Sequence, residues 1–248
     1  MLKKITKRIL PSFIYNLLKK FYESYKINKF KKLSVNETFK KIYEDKIWTP
    51  DEEKKNFKYY SGLGSHEDEF IEEYLKKTKL FFQSFKKKPN VVELGCGDFE
   101  VSENLVNDTN SFIACDIYED LINFNKKKYK NLNVDFKVLD ITKDELPNGD
   151  VCIVRCVLQH LSNDLIINFI DKTKNKFKYL LITEHYPDKE NFVANLNIIT
   201  GPNIRLHADS AVDLSKKPFN LKFRKNKSFC KIYSKLITGY LDTKLYEF

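Results

Sequence analysis

Between residues 88 and 187 the chain alternates short apolar runs with amphipathic stretches. NVVELG, SFIACD, VDFKVLD, DVCIVRC and KYLLITE have strand length, and apolar positions between them fall at helical spacing over 99–107, 118–128 and 162–175. Strands alternating with helices predict an α/β fold: a Rossmann-like open, mostly parallel sheet with helices on both faces. Ahead of it, Ser65 and Asp68 have capping-box spacing before Phe70, Ile71, Tyr74, Leu75, Phe81, Phe82 and Phe85, which predicts a helix over 66–85. Past Pro187 the pattern weakens: 188–218 reads as loop, 219–223 and 228–233 as late antiparallel strands, and 245–248 as edge pairing.

The N-terminal part has a different pattern. Over 12–32, Phe13, Ile14, Leu17, Leu18, Phe21, Tyr22 and Tyr25 share one helical face and lysines gather on the other. This basic amphipathic helix suits either an anionic membrane surface or packing on its own domain. Residues 33–60 show no strong period and read as an irregular, partly helical connection. The expected organisation is a helical extension over 1–50 and one domain over 51–248.

Charge follows the same division. The chain carries 44 Lys+Arg against 34 Asp+Glu, a formal +10, yet residues 1–50 hold 13 basic against 4 acidic side chains, so the remainder is nearly neutral. A basic appendage on a neutral domain argues against a nucleic-acid surface. No run of 18 apolar residues exists, and Lys19 and Lys20 interrupt the first apolar stretch, unlike a secretory signal. Five cysteines, odd in number and mostly inside apolar runs, read as free thiols of the reducing cytosol. The expected location is cytoplasmic, peripheral at the inner membrane if the helix binds lipid.

Only seven glycines occur, and two fall in Glu93-Leu94-Gly95-Cys96-Gly97-Asp98, directly after the first predicted strand. They let the backbone turn tightly and approach a ligand, with a helix N-terminus beyond them. The second strand ends in Asp116, where a carboxylate can hold ribose hydroxyls. A dinucleotide site needs a third small residue three positions after Gly97; Glu100 stands there and would repel a pyrophosphate. Glu93 favours a cationic ligand. An adenosine carrying an amino-acid tail and a sulfonium, S-adenosylmethionine, meets all three features.

With these residues the sequence resembles the class I S-adenosylmethionine-dependent methyltransferases, whose first motif, an acid followed by x-G-x-G, is matched by Glu93, Gly95 and Gly97 around Cys96. The resemblance, over about residues 60–187, implies that Asp116 binds the ribose and that Ile117, Asp140 and Ile141 flank the adenine. It places DVCIVRCVLQHLS beneath the methionine end. A narrower likeness is carried by Tyr60-Ser61-Gly62-Leu63-Gly64-Ser65, Gly95 to Phe99, Arg155 with Gln159-His160-Leu161-Ser162, Thr200-Gly201, Arg205 and Pro218-Phe219. Together these are similar to bacterial methyltransferases encoded with capsule or lipopolysaccharide biosynthesis. That likeness implies a carbohydrate acceptor, nucleotide-activated or phosphate-bearing, and a loop containing Ser61, Gly62 and Ser65 that closes over the cofactor. Residues 206–217 depart from the pattern and leave the acceptor open.

Transfer to a hydroxyl needs alignment and a base. His160, after the fourth strand, is the first candidate, with capping of the following helix as its alternative. Glu184 and His185, after the fifth strand, are expected at the same crevice as orienting groups or alternative bases. No metal is assigned, although those two with Asp98 or His160 form an alternative divalent-cation set. Arg155 is expected to grip the cofactor carboxylate or an acceptor phosphate, or to form a structural pair. Arg205 and His207 cover the acceptor or are solvated, and Trp48, Tyr59 and Tyr60 form a cofactor lid or pack in the core. The expected activity is O-methyl transfer to a sugar or sugar-linked substituent. The rivals are a non-catalytic cofactor-binding subunit and a methyltransferase for another small molecule or for nucleic acid, the last lacking an N-P-P-Y-type motif at Arg155-Cys156-Val157-Leu158.

Overall fold

The computed structural model describes residues 29–173 and 175–248. The predicted helix over 12–32 therefore lies outside the described residues except for its last four, of which Phe30 is buried in the core. Seven strands form one sheet: β1 (Asn90–Leu94), β2 (Ser111–Asp116), β3 (Val134–Val138), β4 (Val151–Arg155), β5 (Tyr179–Tyr186), β6 (Lys225–Tyr233) and β7 (Tyr240–Glu247). Their order is β3-β2-β1-β4-β5-β7-β6, parallel through β5, with β7 inserted antiparallel between β5 and β6.

Strand alternation assigns the two faces. Val92, Leu94, Cys152, Val154, Leu180 and Ile182 point into one core, which receives Phe39 and Ile42 of α1 (Val35–Glu44) and Ile166, Phe169 and Ile170 of α4 (Asn163–Thr173). Val91, Val151, Ile153 and Leu181 point into the other, against Phe70, Tyr74 and Phe82 of α2 (Asp68–Gln83) and Ile122 of α3 (Glu119–Lys128).

One local expectation, the partly helical 33–60, is sharpened and three are corrected. Residues 33–60 contain the well-formed α1, whose Ser34 and Glu37 make a reciprocal capping box: Glu37 N donates to Ser34 Oγ at 3.2 Å and Ser34 N to the Glu37 carboxylate at 2.8 Å. At α2 the box of Ser65 and Asp68 does not form. Ser65 sits in a short 3-10 turn, and the helix begins after Glu67 with Asp68 and Glu69 placed favourably at its positive end. No helix spans 99–107, because Phe99 takes a left-handed φ of 66° and buries its ring against Phe112, Tyr129 and Phe136; a 3-10 helix, Ser102–Asp108, follows instead. Finally, 219–223 is not a strand. The late hairpin is β6 with β7, and β7 starts five residues before 245 because its polar Asp242 and Thr243 are buried and paired, with Ser228 Oγ at 2.6 Å and Thr183 Oγ1 at 2.8 Å.

Candidate active site

A cavity of about 330 Å³ opens where the carboxyl ends of β1, β2, β4 and β5 meet α1 and the 200–207 segment. Its floor is the glycine turn. Gly95 and Gly97 have φ of 79° and 56°, and a Cβ on either would lie 2.4 Å from Val157 Cγ2 or 2.3 Å from Ser61 Oγ. The turn is fixed from all sides. Gly95 N and Cys96 N donate to Cys115 O, Gly97 N to Asp116 Oδ2 at 3.0 Å, Asp98 N to Ser61 Oγ at 2.9 Å, and Phe99 N to Cys96 O. Asn125 of α3 reaches Gly97 O at 2.7 Å, and Tyr129 OH reaches Asp98 O at 3.0 Å. Every backbone N–H of residues 95–99 is therefore paired within the protein. What faces the cavity is acidic side chains, which suits a ligand without phosphates.

Three of those acids occupy their predicted places. Glu93 is buried, accepts Ser102 Oγ on Oε1 at 2.7 Å, and has no partner for Oε2 among the described residues; burial pushes its carboxyl up to about 8. A cationic ligand would supply what Oε2 lacks. Asp116 accepts from Gly97 N and Tyr118 N, burial raises its pKa, and its carboxylate retains lone pairs for ribose hydroxyls. Asp140 is turned by its own Thr142, whose N and Oγ1 donate to Oδ1 at 2.9 and 2.6 Å. Ile117, Ile141 and Cys96 complete this wall. Glu100 is paired with Lys128.

The 61–65 loop covers the turn. Ser61 N donates to Asp98 Oδ2 at 2.8 Å and His66 Nε2 lies 2.7 Å from the same oxygen, so loop and turn hold each other through reciprocal bonds. Ser61, Gly62 and Ser65 all line the cavity. Tyr60 stacks on His66 with ring centres 3.9 Å apart, while Tyr59 packs on Tyr118 and Phe124; neither faces the cavity, so of the expected aromatic lid only Trp48 does. Sequence reading missed the rest of this roof. Val35, Phe39 and Tyr43 of α1 line the cavity, Tyr43 OH lies 3.1 Å from Ser61 Oγ, and Asn36 Nδ2 donates to Ile117 O. The capping box Ser34–Glu37 was the available signal. These residues lie on the extension side of the expected boundary at 50/51.

At the other end, Arg155 does not present its fork to a ligand. It donates to Gly64 O, Phe70 O and, at 3.4 Å, Ser65 Oγ, and its guanidinium lies over the Tyr74 ring, so it ties β4 to the covering loop. Glu184 is also withdrawn from the cavity: its two oxygens accept Leu158 N and Gln159 N at 3.0 and 2.9 Å, and burial pushes it up to about 8. Side-chain alternation along β5 separates it from His185, which does line the cavity. Arg205 is fully buried, donating to Leu158 O, Gln159 O, Leu161 O, Leu196 O and Asn163 Oδ1, and thereby fastens the 196–207 segment over the end of β4.

His160 and His185 meet in the cavity on either side of Gln159, a residue sequence reading left without a role. His160 Nδ1 lies 3.2 Å from Gly201 O and its ring packs 4.8 Å from Trp48; burial, then the neighbouring His185, lowers it to about 3. Trp48 Nε1 donates to Pro202 O at 3.2 Å. Burial, then Arg155 and His207, lowers His185 to about 4. Both imidazoles are neutral at physiological pH. Among the described residues no group of three acid, cysteine or histidine side chains is arranged to hold a metal; Asp98, part of the alternative set, is engaged by Ser61 and His66.

Residues 91–178 match the family model of the methyltransferase domain. No curated protein sequence matches the chain significantly. Among solved structures, the N-methyltransferase NodS from Bradyrhizobium japonicum WM9, in complex with S-adenosyl-L-homocysteine, is 12% identical with a TM-score of 0.59 over 82% of this chain and 95% of its own. The methyltransferase domain of bacterial CtHen1-CN is 12% identical, with a TM-score of 0.51 over 71% and 98%. TehB from Haemophilus influenzae is 17% identical with a TM-score of 0.48 over 70% of this chain, which spans 61% of TehB. At these identities the likeness is one of fold.

Proposed function

We propose that this S-adenosylmethionine-dependent methyltransferase methylates an oxygen of a sugar or sugar-linked substituent, nucleotide-activated or phosphate-bearing, in bacterial surface polysaccharide assembly. The observation that carries the reading is the pair of neutral imidazoles, His160 and His185, at the β4–β5 end of the cavity. Asp116 ends β2 and His185 lies on β5, three strand positions and about 14 Å away across the sheet, while His160 follows β4, one strand nearer. That separation leaves room for a methionyl tail between them.

When bound, the cofactor supplies an electrophilic methyl group, whose C–S electron pair returns to sulfur as the acceptor oxygen takes the carbon. The chain holds the ribose at Asp116, meets positive charge with Glu93 and aligns the acceptor. A hydroxyl must lose its proton as it attacks, and an unprotonated imidazole beside it takes that proton. Trp48, Pro202 and Ile204 give this end an apolar wall suited to the C–H face of a sugar ring, and Arg155 is the only Lys or Arg among the described lining residues, which disfavours a nucleic-acid backbone track. The basic residues 12–32 suit a cytoplasmic enzyme working against the inner membrane.

The test is transfer of labelled methyl from S-adenosylmethionine to a panel of nucleotide sugars, sugar phosphates, amines and RNA. The expected product is a methyl ether on a sugar. Label confined to RNA or amines would replace the reading, and tight cofactor binding without transfer to any acceptor would favour a non-catalytic subunit. Membrane contact is tested by sedimentation with anionic vesicles, where the chain lacking residues 1–28 should stay in solution.

A further inference from the structure

The hydrogen bonds around Gln159 fix the proton positions of both cavity histidines. The His185 backbone N–H can only donate, and it lies 3.2 Å from the Gln159 side-chain oxygen, which sets the orientation of that amide. The same oxygen lies 2.7 Å from His185 Nδ1, so Nδ1 must carry the ring proton. The opposite end of the network agrees. Gly201 O can only accept, so His160 Nδ1 is protonated, and His160 Nε2 then faces the Gln159 NH2 group at 3.5 Å as an acceptor. That NH2 group also reaches Cys156 O at 3.4 Å.

The two imidazoles thereby become unequal. The lone pair of His160 is turned to the Gln159 amide. His185 Nε2 has no hydrogen-bond partner among the described residues, and its half-buried ring lines the cavity. We propose that His185 Nε2 is the base of the transfer and that Gln159 is the positioning residue that makes it so, by holding the Nδ1–H tautomer. This assignment rests on methyl transfer to an oxygen. During transfer the acceptor hydroxyl proton passes to His185 Nε2, giving an imidazolium whose Nδ1–H bond to Gln159 is retained; the proton leaves through the open cavity mouth once product departs. Arg155, His160 and His207 are the cationic or titratable groups around His185; burial first, then Arg155 and His207, keeps the ring unprotonated between turnovers.

Two measurements test the proposal separately. The first needs no acceptor: nitrogen NMR of histidine-labelled protein should show His185 protonated at Nδ1, with a shift toward the Nε2–H form in Gln159→Leu. His66 should be unchanged as the folding control. Persistence of the Nδ1–H form in Gln159→Leu would overturn the positioning role. The second is turnover with whichever acceptor the panel identifies. His185→Gln should lower kcat by about 100-fold or more and Gln159→Leu by about tenfold or more, each with unchanged KM for S-adenosylmethionine. Gln159→Glu keeps the accepting oxygen and should restore turnover. Its negative charge favours the imidazolium, so the acidic limb of its pH profile should move upward. Wild-type kcat in His185→Gln would overturn the base assignment; the same losses on a non-sugar hydroxyl would reject the carbohydrate acceptor and leave Gln159 and His185 in place.

Discussion

At the cofactor end of the cavity, most bonds that matter join residues near one another in the chain or on adjacent parallel strands: Gly97 with Asp116, Asp116 with Tyr118, Asp140 with Thr142, Glu93 with Ser102. At the acceptor end they join distant segments: Arg205 with Leu158 and Leu161, Trp48 with Pro202, His160 with Gly201, Arg155 with Gly64. The first end can be set up as the sheet assembles, while the second needs the late segments to return over it. In the proposed reading, separate scaffolds for cofactor and acceptor let acceptor specificity change without disturbing the strand ends assigned to the ribose.

The largest expected effect breaks the acceptor end. Arg205→Leu leaves the carbonyls of Gln159, Leu161 and Leu196 without the Arg205 donor and Leu158 O with Leu161 N alone, at a cost of about 3–5 kcal/mol. For a domain of this size that lowers Tm by about 10 °C in a thermal unfolding scan. Methyl transfer should fall further than cofactor affinity; equal losses would mean that the two ends are one unit. Next comes the cofactor end. Gly97→Ala places a Cβ 2.3 Å from Ser61 Oγ at a φ of 56°, and should weaken S-adenosylmethionine binding, measured by calorimetry, by about tenfold or more.

A smaller, graded effect comes from Glu93. Its carboxyl, pushed up to about 8 by burial, is mostly protonated at neutral pH without ligand, and a cation bound beside it favours the ionised form. Cofactor affinity should therefore rise with pH up to about 8 and level off above, and Glu93→Gln should flatten that dependence. The same shift acts on folding with the opposite sign. Because the folded acid holds its proton more tightly than the unfolded one, its contribution to stability declines as pH climbs from the ordinary carboxyl value of 4.5 toward about 8. The smallest effect is Ser61→Ala, which removes the bond to Asp98 N and the contact with Tyr43 OH and should cost about 1 kcal/mol, seen as several-fold faster cofactor dissociation.

The contrast between the two ends also explains what could be read in the sequence. The parallel sheet, the glycine turn and the acid ending the second strand announce themselves through local spacing, Asp140 follows from the family resemblance, and Glu93, Gly95, Gly97, Asp116 and Asp140 all line the cavity. The acceptor end depends on returns of the chain that no local pattern encodes. Arg205 reads as a solvated loop charge until its carbonyls are seen. Glu184 and His185 read as neighbours at one crevice, although strand alternation sends them apart. Gln159 carries no chemistry of its own and becomes informative only between two histidines. The roof from α1 was legible in Ser34 and Glu37 but hidden behind an amphipathic stretch with a louder signal.

The reciprocal bonds of Ser61, Asp98 and His66 have a consequence for the rhythm of the enzyme. A cavity whose floor and cover grip each other through Asp98 exchanges its contents only when that grip loosens. A bound cofactor is exchanged once loop and turn part at the contacts of Asp98 with Ser61 and His66. In sites covered in this way, release of the spent cofactor can set the pace in place of bond making, and a slow release of labelled S-adenosylhomocysteine measured against turnover is the expected sign.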